Sequence, residues 1–170
     1  MPQLLQDVPD GTTCFLDATI FYYHLVNTPP LSDDCSDLLV RIGTGAVTGI
    51  TSTVALAEAT HKVMLAEIVR QHGVAPQGLI ARLKKHPELL EHLTEHQQVV
   101  PLAQTLQITI TPITFELLQR GAELSPQQRL LTNDALTLAV LEKLGISHLV
   151  TNDDDFDSIA GLRIYKPTRI

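Results

Sequence analysis

Short apolar runs of strand length alternate along this chain with longer segments of helical period, and that alternation limits the fold more than any other feature. The runs are CFL at 14–16, Val47–Ile50, the Ile/Thr alternation ITITPIT at 108–114, HLV at 148–150 and LRIYK at 162–166. Each is bounded by breakers or cap residues, and helical patterns separate most of them. Strands that alternate with helices predict an α/β layer with a largely parallel sheet. The polar lead-in MPQLLQDVPDGTT is read as irregular.

The helical segments carry their own punctuation. Pro29 and Pro30 stop the first, and Ser32, Asp33 and Asp34 are cap candidates for a second that Gly43 and Gly45 end. Thr51 and Ser52 introduce the longest, from Thr53 to about His72, with Gly73 as its C-terminal cap residue. Leu79, Ile80 and Leu83, then Leu89, Leu90 and Leu93, separated by Pro87, predict a helical hairpin over about 76–106. FELLQRGAEL and NDALTLAVLEKLG complete the set, the last with Asp134 in its first turn and Gly145 at its end.

At 170 residues, 44% hydrophobic and 18% charged, the chain is expected to form a single domain over 1–170 with its own core. Its formal charge of −7 argues against coating nucleic acid by bulk electrostatics. Cys14 and Cys35 read as small buried thiols. No leader-like segment opens the chain and no run of apolar residues is long enough to span a bilayer, so a cytoplasmic protein without a membrane partner is expected.

Four acids take related places. Asp17 ends the first strand, Glu58 lies in the first half of the long helix, Asp134 opens a helix and Asp153 follows a strand. In an open parallel sheet, ligands bind beyond the carboxyl ends of the strands, and helix N-termini point to that same edge. Carboxylates that converge without bases repel and raise one another's pKa, so such a cluster calls for cations, and hard oxygen donors select Mg²⁺ or Mn²⁺. Two such ions about 4 Å apart suit phosphodiester hydrolysis by in-line water attack.

The ordered set FLDAT, TSTVALAE, LLTNDALTLAVLEKLG and LVTNDDDF resembles the motif series of PIN-domain ribonucleases, which include the VapC-like toxins of bacterial toxin–antitoxin pairs. The resemblance covers nearly the whole chain. It implies a three-layer PIN-like α/β domain, a mainly parallel sheet flanked by helices, with the hairpin as an inserted arm. It implies a metal-dependent endoribonuclease in which Asp17, Glu58, Asp134 and Asp153 are the catalytic, metal-binding acids. Asp155 would be an additional metal ligand, with Thr19 and Thr151 as supporting hydroxyls. Thr19 stands where Ser or Asn is usual, and the arm makes this chain longer than a compact VapC-like toxin. The implied partners are an RNA substrate, a second copy in a homodimer and, if the chain is a toxin, a protein antitoxin.

Other readings compete. Asp17 alone suits a helix cap, Glu58 with Lys62 an exposed i,i+4 pair, and Asp157 a solvated turn. Arg82, Lys84 and Lys85, the densest basic cluster, read first as a solvated helix end and second as an RNA backbone contact. Phe21, Tyr22 and Tyr23 read as core, with one tyrosine available to stack on a base. His92 and His96 would share a helix face, but no zincin glutamate accompanies them. The alternative to a nuclease is an inactive PIN-like module that binds RNA or protein. A small-molecule phosphatase would want a second Asp where Thr19 stands.

Overall fold

Cys14, Phe15 and Leu16 are all fully buried although they alternate in direction, which is the mark of a strand covered on both faces. They lie in β2 (Thr13–Leu16), near the middle of a six-stranded sheet. The computed structural model describes residues 2–168. The other strands are β1 (Gln3–Leu4), β3 (Thr48–Ser52), β4 (Thr109–Thr111), β5 (His148–Val150) and β6 (Arg163–Lys166). Their order is β1-β6-β5-β2-β3-β4, and every pairing is parallel.

Parallel neighbours require crossovers, and helices supply them on both faces. On one face, α1 (Ala18–Val26), α2 (Leu31–Gly43), α3 (Thr53–His72) and α5 (Val99–Thr105) bury Ile20, Phe21, Leu38, Ile42, Val63 and Val99 with Cys14 and Leu16. On the other, α6 (Phe115–Gln128) and α7 (Thr132–Leu144) bury Leu117, Leu124, Leu138 and Leu141 with Phe15, Leu149 and Ile164. This is the expected three-layer arrangement. Gly121 lets α6 approach α7 closely, since a Cβ there would sit 2.8 Å from Leu136 Cδ2. From β2 the chain winds outward to β3 and β4 and then returns to β5 on the other side. The crevice between the carboxyl ends of β2 and β5 is therefore the switch point of the sheet.

Several local expectations shift. The lead-in is not irregular: Gln3 and Leu4 pair with Tyr165 and Lys166, and Leu5 and Val8 behind them are buried. β4 starts one residue late, at Thr109, and ends at Thr111 before Pro112, as expected of a residue with no N–H for the ladder. α6 runs past Pro126 to Gln128, beyond the expected end at 124. Ser32, Asp33 and Asp34 lie inside the first turn of α2 rather than capping it, Pro30 holding the cap position.

The arm also differs from two plain helices. It holds α4 (Leu79–Lys85), 3₁₀ turns at Pro87–Leu90 and Glu95–Gln98, and then α5, whose Val99 and Ala103 join the main core. Leu79, Leu83 and Leu93 instead make a small separate cluster with Ile68 and Val74. So small a core needs a second fastening, and fully buried Glu67 of α3 provides it. Its carboxylate accepts from Thr94 N at 2.8 Å, Glu95 N at 3.0 Å and Gln71 Nε2 at 3.0 Å. Burial alone would raise its pKa, but the Thr94 and Glu95 amides together with His96 hold it below the usual carboxylate range. Glu67→Ala strips all three acceptor contacts and is expected to cost about 2–4 kcal/mol, read as a lower melting temperature and faster amide exchange at 94–98. Because the folded pKa is depressed, this stabilisation is complete at neutral pH and lost as pH falls through the folded value.

Candidate active site

β2 and β5 bring two segments side by side at the switch point. Asp17 N donates to Val150 O at 3.0 Å, continuing the strand pairing one residue past β2. That places the Asp17 carboxylate, 8% exposed, against Thr151, which is fully buried. Asp17 Oδ2 accepts from Thr151 Oγ1 at 3.0 Å and from Thr19 Oγ1 at 2.9 Å, and it also caps α1 through Thr19 N at 3.3 Å. The cap reading is therefore correct but incomplete. Burial raises the Asp17 pKa, and the hydroxyl and amide donors oppose that rise.

The two threonines tie Asp17 to the loop that follows β5. Thr151 Oγ1 accepts from Asp153 N at 3.0 Å while donating to Asp17, and Thr19 Oγ1 accepts from Asn152 N at 3.1 Å. Asp153 Oδ1 in turn accepts from Asp155 N at 2.9 Å. Behind the loop, buried Lys166 holds Asp154 and Asp157, each at 2.6 Å. Asp157 lies in an exposed turn, as expected, and also anchors that turn through Lys166. With Asp154 drawn towards Lys166, Asp153 and Asp155 meet Asp134 from the first turn of α7. One carboxylate oxygen from each of Asp134, Asp153 and Asp155 lies within 4.8 Å of the others.

Asp134 records the convergence. Burial first, and then the charges of Asp153, Asp17, Glu58 and Asp155, push its pKa up to about 7 against the pull of the helix dipole. Asp17 and Glu58 thus stand around the trio and bear on it electrostatically. Glu58 is held from two sides, by Lys62 at 2.7 Å and by Asn133 Nδ2 at 2.8 Å. The expected i,i+4 pair exists, and it lies at the acidic edge. Burial would lower the Lys62 pKa, but the bond to Glu58, with the fields of Asp17 and Asp153, leaves it raised.

The other candidates lie apart from the acids. Arg82, Lys84 and Lys85 are exposed on α4. His92 and His96 share no helix face: His92 sits in a turn at φ +65°, and His96 Nδ1 points at Glu67 Oε2 from 3.6 Å. Lys62, Asn133, Asn152 and Lys166 are the residues that motif reading passed over. Only Lys62 carried a signal, its spacing from Glu58. Three carboxylate oxygen donors this close, one of them with its pKa pushed up to about 7 by burial and its neighbours' charge, fit a hard divalent cation.

The chain is similar in family profile and fold to known proteins. The family profile described as the PIN domain matches residues 14–162. Among solved structures, a toxin–antitoxin complex from Klebsiella pneumoniae superposes with a TM-score of 0.55 at 16% identity, over 92% of this chain and 99% of that one. A VapC toxin of Mycobacterium tuberculosis, described as cleaving the sarcin–ricin loop, gives 0.61 at 15% identity over 92% and 99%. A VapBC pair from Rickettsia felis bound to a promoter DNA fragment gives 0.52 at 16% identity over 89% and 96%. At these identities the likeness is one of fold. No curated protein matches the chain by sequence.

Proposed function

The chain belongs to the PIN domain family, and from that premise we propose that it is a metal-dependent endoribonuclease, working as one domain with the 76–106 arm beside its site. The observation that carries the proposal is the meeting of Asp134, Asp153 and Asp155 at the switch point, with Asp17 and Glu58 around them. Asp134, Asp153 and Asp155, supported by Asp17 and Glu58, would hold Mg²⁺ or Mn²⁺. When bound, such an ion supplies Lewis-acid polarisation of a phosphate and a more acidic attacking water.

The remaining work falls to the chain. Thr151 and Thr19 orient Asp17 and keep it from drifting into the cluster. Lys166 restrains the loop so that Asp153 and Asp155 face inward. Asp134, with a pKa of about 7, gives up its proton as a cation enters, so cation affinity rises with pH through neutrality. RNA with a 5′-phosphate at the new end is the expected product. A role as the toxin of a toxin–antitoxin pair, acting on cytoplasmic RNA with a protein antitoxin as inhibitor, is the extension that the fold likeness favours. Exposed Phe115 and Leu118, one turn apart on α6, support a homodimer contact. No helix among the described residues is long and apolar enough to cross a membrane.

The test is cleavage of a panel of structured and unstructured RNAs with Mn²⁺, Mg²⁺ or EDTA. Cutting with either cation and none in EDTA, leaving 5′-phosphate ends, is the expected result. Binding without cutting under any cation would favour the inactive module.

A further inference from the structure

A groove of about 720 Å³ opens beside the acids, between α1 and α3 and under the start of α4. Two of its residues belong to both places. Thr19 lines it while donating to Asp17, and Lys62 lines it while pairing with Glu58. The α1 wall presents Tyr22 and Tyr23, whose rings meet edge to face at 5.3 Å, and Asn152 of the acidic loop donates to the Tyr23 hydroxyl at 2.8 Å. Across from them stand Leu79 and the half-exposed Ile80. The groove is therefore continuous with the acidic site, cationic at the junction and apolar beyond it.

Resting on the ribonuclease reading, we infer that this groove takes an unpaired nucleotide of the RNA next to the scissile phosphate. Lys62 meets its phosphate and Tyr22 lies against its base. The charge order matches the ligand. A backbone phosphate approaching five carboxylates needs a cation at the entrance, and Lys62, held by its pair with Glu58, stands there. A base, flat and weakly polar, suits walls of tyrosine and aliphatic side chains, and stacking on an aromatic ring tolerates any base. A base held in a duplex stack has no access to such a groove, so the assignment restricts the substrate to unpaired segments. Lys62 and Tyr22 are thus positioning residues for RNA, while Arg82, Lys84 and Lys85 are exposed on α4 and are not among the residues that line the groove.

The experiment measures binding of a short, unstructured, fluorescently labelled RNA by anisotropy, with Ca²⁺ in place of Mn²⁺, across a salt series. Lys62→Met is expected to flatten the slope of log K against log salt by about 0.7, the share of one phosphate contact on a single strand. Tyr22→Leu should weaken binding about tenfold, with Tyr22→Phe close to wild type. Ile80→Glu, at a half-exposed position where folding is not at stake, should weaken it too, and Lys143→Gln at the other end of α7 should not. If wild type cuts RNA with Mn²⁺ but Tyr22→Leu and Ile80→Glu bind it unchanged, the groove assignment falls and the nuclease stands, the groove being left to a protein segment. If wild type neither binds nor cuts the RNA, both fall.

Discussion

Asp134→Asn is expected to lower RNA cleavage by about 10²-fold or more while making the metal-free protein harder to melt at alkaline pH. The two effects have one cause. Asp134 sits among Asp153, Asp17, Glu58 and Asp155, and their charge with its burial holds its pKa near 7 instead of the ordinary 3.8. A group whose folded pKa is raised contributes stability below its unfolded value, and that contribution is lost as pH rises through the folded value. In EDTA, then, wild type should lose stability between about pH 4 and pH 7, and Asn, which cannot ionise, should not. The side chain is partly open to solvent, so screening leaves a difference of a few degrees in melting temperature at pH 8 and none near pH 4. A plain helix-terminal aspartate would behave in the opposite way, since its charge favours the dipole and Asn would destabilise. The same proton makes cation binding pH-dependent: stabilisation by Mn²⁺ should be larger at pH 8 than at pH 5.5.

Thr151→Val, almost isosteric, should cost about 10- to 100-fold in cleavage without touching a proposed ligand. Its hydroxyl is the shared partner of Asp17 Oδ2 and Asp153 N, in a fully buried position. Valine leaves the Asp153 amide without its acceptor and removes a donor that opposes the rise in the Asp17 pKa caused by burial, so that pKa rises further. Thr151→Ser keeps both bonds and should retain most of the activity. Equal loss in the Val and Ser variants, measured beside their melting temperatures, would assign the effect to packing of the methyl group and not to the hydroxyl.

What could be read from the amino acids follows from how local each signal is. β2 and β5 were legible as short apolar runs and β6 as the apolar pair Ile164–Tyr165 before Lys166, and α3 because Ser52 and Gly73 mark its two ends. β1 was not, since two exposed residues become a strand only by pairing with β6. The apolar spacing of the arm is real, but it serves 3₁₀ turns whose geometry depends on Glu67 reaching across from α3. Asp17, Asp134 and Asp153 stood out because each follows a strand or opens a helix, where a parallel sheet turns them to one edge, and Glu58 because it lies within the first two turns of a helix that starts there. Lys166 did not, because a lysine closing an edge-side strand reads as solvated until the loop folds back to give it Asp154 and Asp157. Lys62 was visible as a helix-surface pair with Glu58, and only the tertiary fold puts that pair beside Asp17.

The most direct test is single-turnover cleavage of an unpaired RNA across a Mn²⁺ titration, with the melting temperature followed in the same samples. Rate and melting temperature should rise together with one half-saturation, and both responses should vanish in Asp134→Asn. Cleavage that persists in Asp134→Asn, or a wild-type protein that Mn²⁺ neither stabilises nor activates, would contradict the assignment of these acids to a metal-dependent ribonuclease.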